Sequence, residues 1–425
     1  MHLDETKLMF DFDQHYYEQR DAFTRYIDEE YGPRTVRFET GPRNENYLFV
    51  DGEPVADFPQ WYPPLNARAG TDDFFGKLLQ KEEQAAATSG AEDVAPPKPE
   101  YFATLPPAWA TRDARLELMD EQGMDGALLL PTVALVWQEQ VRQKPDLTCA
   151  IIRAFNRWLE DEWGYAFKDR LFASPIIALD DLDQAVDELE RVIDKGARVI
   201  NLHVAPVGRE SPASTRFDPF WQRVEDAGVL VSFHLSASPY GQVCNAMWGD
   251  ELVPPGRRLE RQSPFYWATA FCDRPIMDML ASVIYWNLFG RFPRLQIASI
   301  ENGADWVEYL LKRLDKMAIL GRKGAWPGGK LEDRPSAIFK RHVSVVPFPE
   351  ENIPRLAGVI GADRIPFGSD YPHPEGLPAP RNMLKRLEGL NDHEVDLIMG
   401  GNAARLLGLP ETSFNRGTRT DSERE

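Results

Sequence analysis

The stretch Arg364-Ile365-Pro366-Phe367-Gly368-Ser369-Asp370-Tyr371-Pro372-His373-Pro374-Glu375-Gly376 decides how the rest of the chain reads. A short apolar run ends in Gly-Ser-Asp and then breaks at two prolines. That is the pattern of a strand whose last residues carry an acid into a rigid loop. In a parallel α/β barrel, chemistry sits at the carboxyl ends of the strands. One acid after a strand is more often a loop or helix cap. The reading therefore turns on how the other strands end.

Seven further apolar runs precede it: Leu8–Asp13, Gly126–Pro131, Leu171–Leu179, Arg198–Val204, Val229–Ser236, Leu295–Glu301 and Val343–Phe348. Ile365–Asp370 is then the eighth strand. Helical patterns separate them from Arg112 onward, at Arg112–Gln122, Cys149–Trp163, Asp183–Lys195, Pro219–Ala227, Phe265–Phe289, Trp306–Met317 and Asn352–Ile360. Asp392–Leu407 supplies closing helices. The expected fold is α/β, a (β/α)8 TIM barrel with a long insertion after the first strand. Continuous apolar runs suit strands covered on both faces. An open doubly wound sheet shares the pattern, but no GxGxxG or GxxxxGK[ST] follows any strand. Residues 1–425 read as one domain. Within it, 26–110 form a lid or interface and 411–425 a polar tail. Asp51-Gly52 reads as a hairpin turn, and residues 80–100 as a mobile loop.

The 425 residues are 43% hydrophobic, enough for a sizeable core. Lys and Arg total 48 against 67 Asp and Glu, a formal charge of -19. That balance argues against a nucleic-acid or anionic-membrane partner. Cys149, Cys244 and Cys272 fit no zinc ribbon and no disulfide framework. With no secretory apolar region at the start, the expectation is a reducing cytoplasm. The longest apolar run, Ile276–Phe289, contains Asp278 and is too short for a bilayer. It reads as a buried helix, with a homodimer face as the other use.

The strand ends supply the chemistry. Asp13 and His15 follow the first strand, His203 the fourth, His234 the fifth, Glu301 the sixth and Asp370 the eighth. Each has a bland explanation: His203 as a polar strand cap, His234 as a satisfied core group, Glu301 as part of a Glu-Asn-Gly turn. Together, on one rim, three imidazoles and three carboxylates can hold a divalent metal, or two. Asp13 and His15 are two apart, so on a strand both face the same way. His373, three residues past Asp370, lies within reach of substrate. Glu18 reads as a helix-start acid, and His342, at the amino end of strand seven, as structural. No GxSxG occurs and no cysteine has an evident base, which disfavours covalent catalysis.

These residues resemble a known family. Asp11-x-Asp13-x-His15-x-x-Glu18, Gly368-Ser369-Asp370-Tyr371-Pro372-His373 and Gly401-Asn402-Ala403-Ala404-Arg405-Leu406-Leu407-Gly408 are similar to motifs of the amidohydrolase-2 branch of the amidohydrolase superfamily. That branch holds aminocarboxymuconate-semialdehyde decarboxylase and related hydrolases. The resemblance covers about residues 8–20 and 110–410 and leaves the insertion unexplained. It implies that Asp13, His15, His234 and Asp370 are metal ligands, with Asp370 also accepting a proton. The sixth-strand position usually carries an acid/base histidine and here is Glu301. The fourth-strand position, a bridging carboxylated lysine in dinuclear members, is His203.

Three functions follow as expectations. The first is a metal-dependent hydrolase of an amide, ester or lactone, or a decarboxylase of a small carboxylic acid. Zn or Mn would polarise a substrate oxygen or activate water, with Asp370, Glu301 and His373 handling protons. The absence of the sixth-strand histidine tilts this towards hydrolysis. The second is a nonheme dinuclear iron monooxygenase using His203 and Glu301 as added ligands. The third is a non-catalytic binding barrel. Trp61, Tyr62, Trp109, Trp248, Phe265, Tyr266 and Trp267 suit an apolar or aromatic small molecule, and Arg257 and Arg258 its carboxylate or a phosphate.

Overall fold

The computed structural model describes residues 8–40, 46–55, 105–236, 239–249, 263–270 and 273–409. Trp61, Tyr62, Arg257, Arg258, the 80–100 segment and the polar tail lie outside the described residues.

All eight apolar runs fold as neighbouring parallel segments. Phe10–Tyr16 pairs with Gly126–Pro131, which pairs with Leu171–Ala173. The third run breaks and resumes at Ile176–Ile177, which pairs with Val199–Leu202. Leu230–His234, Ile297–Ile300 and Val343–Val345 continue the order. The eighth segment closes the ring. Phe12 N–H donates to Phe367 O at 2.8 Å, Asp370 N–H to Asp13 O at 2.8 Å, and His15 N–H to Tyr371 O at 2.7 Å. On its other side, a Cβ at Gly368 would lie 2.5 Å from Cγ1 of Val346 and 2.5 Å from Cβ of Asp13. Only a residue without a side chain lets the first, seventh and eighth segments come this close. The fold is the expected TIM barrel.

Two apolar clusters show its layers. Phe10, Phe12, Leu128, Leu130, Phe172, Val199, Leu230, Ala298, Ile300 and Val346 pack together inside the barrel. Alternate residues such as Ala127, Leu129, Val231, Phe233 and Val345 instead pack on the helices. The strand period of two thus sorts every run into an inner and an outer set.

Between strands one and two, Arg37–Thr40, Asn46–Val50 and Glu53–Pro54 form a small antiparallel sheet. Asp51 and Gly52 make its turn at φ 55° and 82°, as the Asp-Gly pair predicts. Asp51 also binds Arg34 at 2.5 Å and Lys144, which fastens the sheet to the barrel.

The helical expectations change in several places. The helix expected from Cys149 begins at Pro145, because proline suits a first helical turn. The stretch expected as one helix over Phe265–Phe289 is three, Pro264–Ala270, Asp273–Tyr285 and Leu288–Arg291. Asn287, left-handed at φ 52°, makes the last break. Pro335–His342 is a helix with no counterpart in the sequence reading. Among the described residues, no helix is long and apolar enough to cross a membrane.

Candidate metal centre

Strand one builds the site with an irregularity. Its register with strand two jumps between Asp11 and Gln14, where three steps on one strand match two on the other. This is a bulge. Phe10 and Phe12 face the barrel interior, so unbroken alternation would aim Asp13 and His15 outward. The extra residue reverses the phase, and Asp13 and His15 join the interior group. Glu301 and Asp370 are re-aimed by another device. Both sit at positive φ, 55° and 56°, where residues with a Cβ are uncommon.

Two overlapping donor groups result, Asp13, His15, His234 and Glu301 in one, and His15, Glu301, Asp370 and His373 in the other. His15 Nε2 is 3.4 Å from Asp13 Oδ1, 3.5 Å from Glu301 Oε2 and 3.3 Å from Asp370 Oδ1. His234 Nε2 is 3.5 Å from Asp13 Oδ1 and 3.0 Å from Glu301 Oε2. Donors about 2.0–2.2 Å from one cation lie ~3.0–3.5 Å from each other. Asp13 Oδ1, His15 Nε2 and His234 Nε2 are all buried without a hydrogen-bond partner. Buried polar atoms are ordinarily paired, and these three, converging with Glu301 at such spacings, fit a divalent metal.

The imidazoles are oriented for it. His15 Nδ1 lies 3.3 Å from Pro131 O and His234 Nδ1 2.8 Å from Leu235 O. A carbonyl only accepts, so each Nδ1 carries a proton and each Nε2 is the atom a bound metal would take. Burial opposes charge on His234, but the Glu301 and Asp13 carboxylates outweigh it and push the imidazole up to about 10. Burial, then the Glu301 charge, raises Asp370 well above the usual carboxylate range. Burial works against Glu301 as well, yet His234 and His15 hold it well below. His373 Nδ1 is 2.7 Å from Asp370 Oδ1, and its ring stacks on His15 with centroids 3.9 Å apart. Burial and the neighbouring His15 keep His373 neutral.

His203 is not brought into either group. It is half-buried at the end of strand four, lining a cavity with Gln138, Arg142, Thr148 and Asp180. His342 ends the helix Pro335–His342, with Nδ1 2.9 Å from Leu295 O and its ring stacked on Phe289. Glu18 does not start a helix. It is fully buried and accepts from the amides of Val133 and Ala134, both at 2.8 Å, fixing the loop after strand two. Sequence reasoning also passed over Asp11, the first acid of Asp-Phe-Asp. It is fully buried and accepts from Ser369 N at 2.9 Å, beside Asp370. An acid inside an apolar strand was the available signal.

A family model described as amidohydrolase matches residues 101–409. An amidohydrolase from Mycobacterium avium subsp. paratuberculosis K-10 is 33% identical, with 95% of this chain and 99% of that chain covered and a TM-score of 0.79. A 2-amino-3-carboxymuconate-6-semialdehyde decarboxylase of Dictyostelium discoideum is 22% identical over 182 residues, 42% of this chain. That match spans 50% of the relative's own length. A 5-carboxyvanillate decarboxylase from Novosphingobium aromaticivorans DSM 12444, solved with manganese and 4-hydroxy-3-methoxy-5-nitrobenzoic acid, has a TM-score of 0.57 at 16% identity, covering 96% of this chain and 97% of that chain. This last likeness is one of fold.

Proposed function

We propose, from the premise that this chain belongs to the amidohydrolase family, that it is a mononuclear carboxy-lyase for a small aromatic or unsaturated carboxylic acid. As a member of that family it is a metal-dependent enzyme, a hydrolase or carboxy-lyase, rather than a non-catalytic barrel. The observation that carries the proposal is the convergence of Asp13 Oδ1, His15 Nε2 and His234 Nε2 without hydrogen-bond partners, with Asp370 Oδ1 3.3 Å from His15 Nε2. Asp13, His15, His234 and Asp370 would hold the ion, with Glu301 beside them.

A single ion suits the donors better than two. His15 Nε2 belongs to both groups, and an imidazole nitrogen has one lone pair, so it cannot bridge. His203, the extra ligand a dinuclear iron centre would need, is in neither group among the described residues. Manganese is the preferred metal, since the carboxyvanillate decarboxylase holds it and a mixed carboxylate and imidazole set accepts it.

A divalent ion there supplies Lewis-acid polarisation of a substrate oxygen. The chain supplies the proton handling. Asp370 and His373 share a 2.7 Å contact, and a proton held between Oδ1 and Nδ1 can be delivered to a substrate carbon as the carboxylate leaves. Glu301, kept ionised by His234 and His15, would be the base beside that pair. One observation favours hydrolysis as a second reading. An ionised Glu301, where decarboxylases of the branch carry a histidine, is better suited to taking a proton from water than to giving one.

The test is a panel assay on manganese-loaded protein. Hydroxybenzoic, carboxyvanillic and muconic-type acids, carboxyl-labelled with ¹³C, are followed for labelled CO₂, beside a panel of lactones, esters and amides. Labelled CO₂ from an acid supports the carboxy-lyase. Turnover confined to the second panel would replace it with the hydrolase.

A further inference from the structure

Behind the metal donors lies a charge that their chemistry does not use. Arg115, on the helix Arg112–Gln122, is 0% exposed. Its Nε donates to Ala108 O at 2.7 Å, Nη1 to Gln14 Oε1 at 3.0 Å and Nη2 to His15 O at 2.7 Å. All three acceptors are neutral. A buried cation with no offsetting charge is costly, and a methionine of similar volume would fill the space more cheaply.

The nearest carboxyl lies one amide away, at Asp11, which burial pushes up to about 7. Gln14 Nε2 donates to Asp11 Oδ2 at 2.8 Å. A guanidinium only donates and a carboxylate only accepts, so the Gln14 amide between them has one possible orientation. Asp11 then takes hydrogen bonds from both metal-bearing strands, from Asp13 N at 3.2 Å, Ser369 N at 2.9 Å and Ser369 Oγ at 2.5 Å. The guanidinium also faces the Tyr371 ring at 5.4 Å. Burial lowers Arg115 only to about 10, so it stays a cation at neutral pH.

Gln14 sits between Asp13 and His15, and Ser369 directly precedes Asp370. We propose that Arg115 is a positioning residue for the metal centre, locking the strand-one and strand-eight donors in place through Gln14, Asp11 and Ser369. The network forms a closed brace. It spans the bulge that turns Asp13 and His15 inward and the positive-φ turn that aims Asp370. This inference rests on the metal-centre reading above.

The experiment uses the full chain, stripped of metal and titrated with Mn(II), as wild type, Arg115→Met, Arg115→Lys and Asp11→Asn. Electron paramagnetic resonance reads free and bound Mn(II) and the line shape of the bound ion, and circular dichroism reads folding. Loss of such a supporting contact should weaken metal affinity ~10–100-fold. The expected result is that folded Arg115→Met shows that loss with an altered line shape, Arg115→Lys recovers part of it, and Asp11→Asn behaves like Arg115→Met. A role in packing alone would lower the melting temperature and leave both readouts as in wild type, which overturns the proposal. If Arg115→Met does not fold, Asp11→Asn, which keeps the side-chain shape, decides the matter by the same readouts. Wild type that takes up no Mn(II) would remove the metal reading itself, and this inference with it. Wild type that binds beside variants that bind equally well removes only the inference.

Discussion

Asp370 is where the proposed metal and proton roles meet. Its Oδ1 lies 3.3 Å from His15 Nε2 and 2.7 Å from His373 Nδ1, so it can serve the metal and the proton together. Asp370→Asn keeps the shape and removes both. Turnover should fall by roughly 10²–10⁴-fold with an unchanged circular dichroism spectrum, and full activity in that variant would refute the assignment. His234 yields a prediction on pH. Its imidazole is pushed up to about 10 by the Glu301 and Asp13 carboxylates against burial, so in the metal-free protein it holds a proton at neutral pH. A metal needs that lone pair, so binding must expel the proton. Affinity for Mn(II) should therefore rise with pH between neutrality and about 10. Calorimetric titrations in two buffers of different ionisation enthalpy should give different heats, and equal heats would contradict the prediction.

At the level of elements, the eighth segment is held by what is missing from it. A methyl group on Gly368 would meet Asp13 Cβ and Val346 Cγ1, both at 2.5 Å. Gly368→Ala must push strand eight away from strand one. We expect a loss of about 1–3 kcal/mol in a denaturant melt, with weakened Mn(II) binding because the push acts on the Asp13 and Asp370 backbones. Wild-type stability would mean that the barrel is looser here than its hydrogen bonds imply. The helix Asn402–Leu406 secures the same segment from below, since Asn402 Nδ2 donates to Ala362 O at 2.8 Å and Ile365 O at 3.0 Å. The Asn-Ala-Ala-Arg-Leu motif thus acts on the fold, away from the metal donors.

For the molecule as a whole, the donors come from strands one, five, six and eight, so the site exists only when the ring is closed. Metal binding should therefore report on global stability. Mn(II) at 100 times its dissociation constant adds about 2.7 kcal/mol if only the folded state binds. The melting temperature of the stripped protein should rise on adding Mn(II), and the rise should shrink in Asp370→Asn. An equal rise in both would place the stabilising ion elsewhere.

The eight strands and most of the helices were legible because apolar runs, caps and glycines are local signals, and the donors because strand ends are where a barrel collects them. Asp13, His15, His234, Glu301, Asp370 and His373 could all be named from sequence as candidates for one rim. Which rim residues share a centre could not be read there, since His203 was named with them and is in neither donor group. The bulge before Gln14 and the left-handed turns at Glu301 and Asp370 change a residue's facing without any marked change in composition. Arg115 looks like a surface charge in the sequence, because local pattern carries no information on which distant groups will surround a buried charge. The tertiary structure decided these matters, since register, strain and charge compensation are set by contacts between segments hundreds of residues apart.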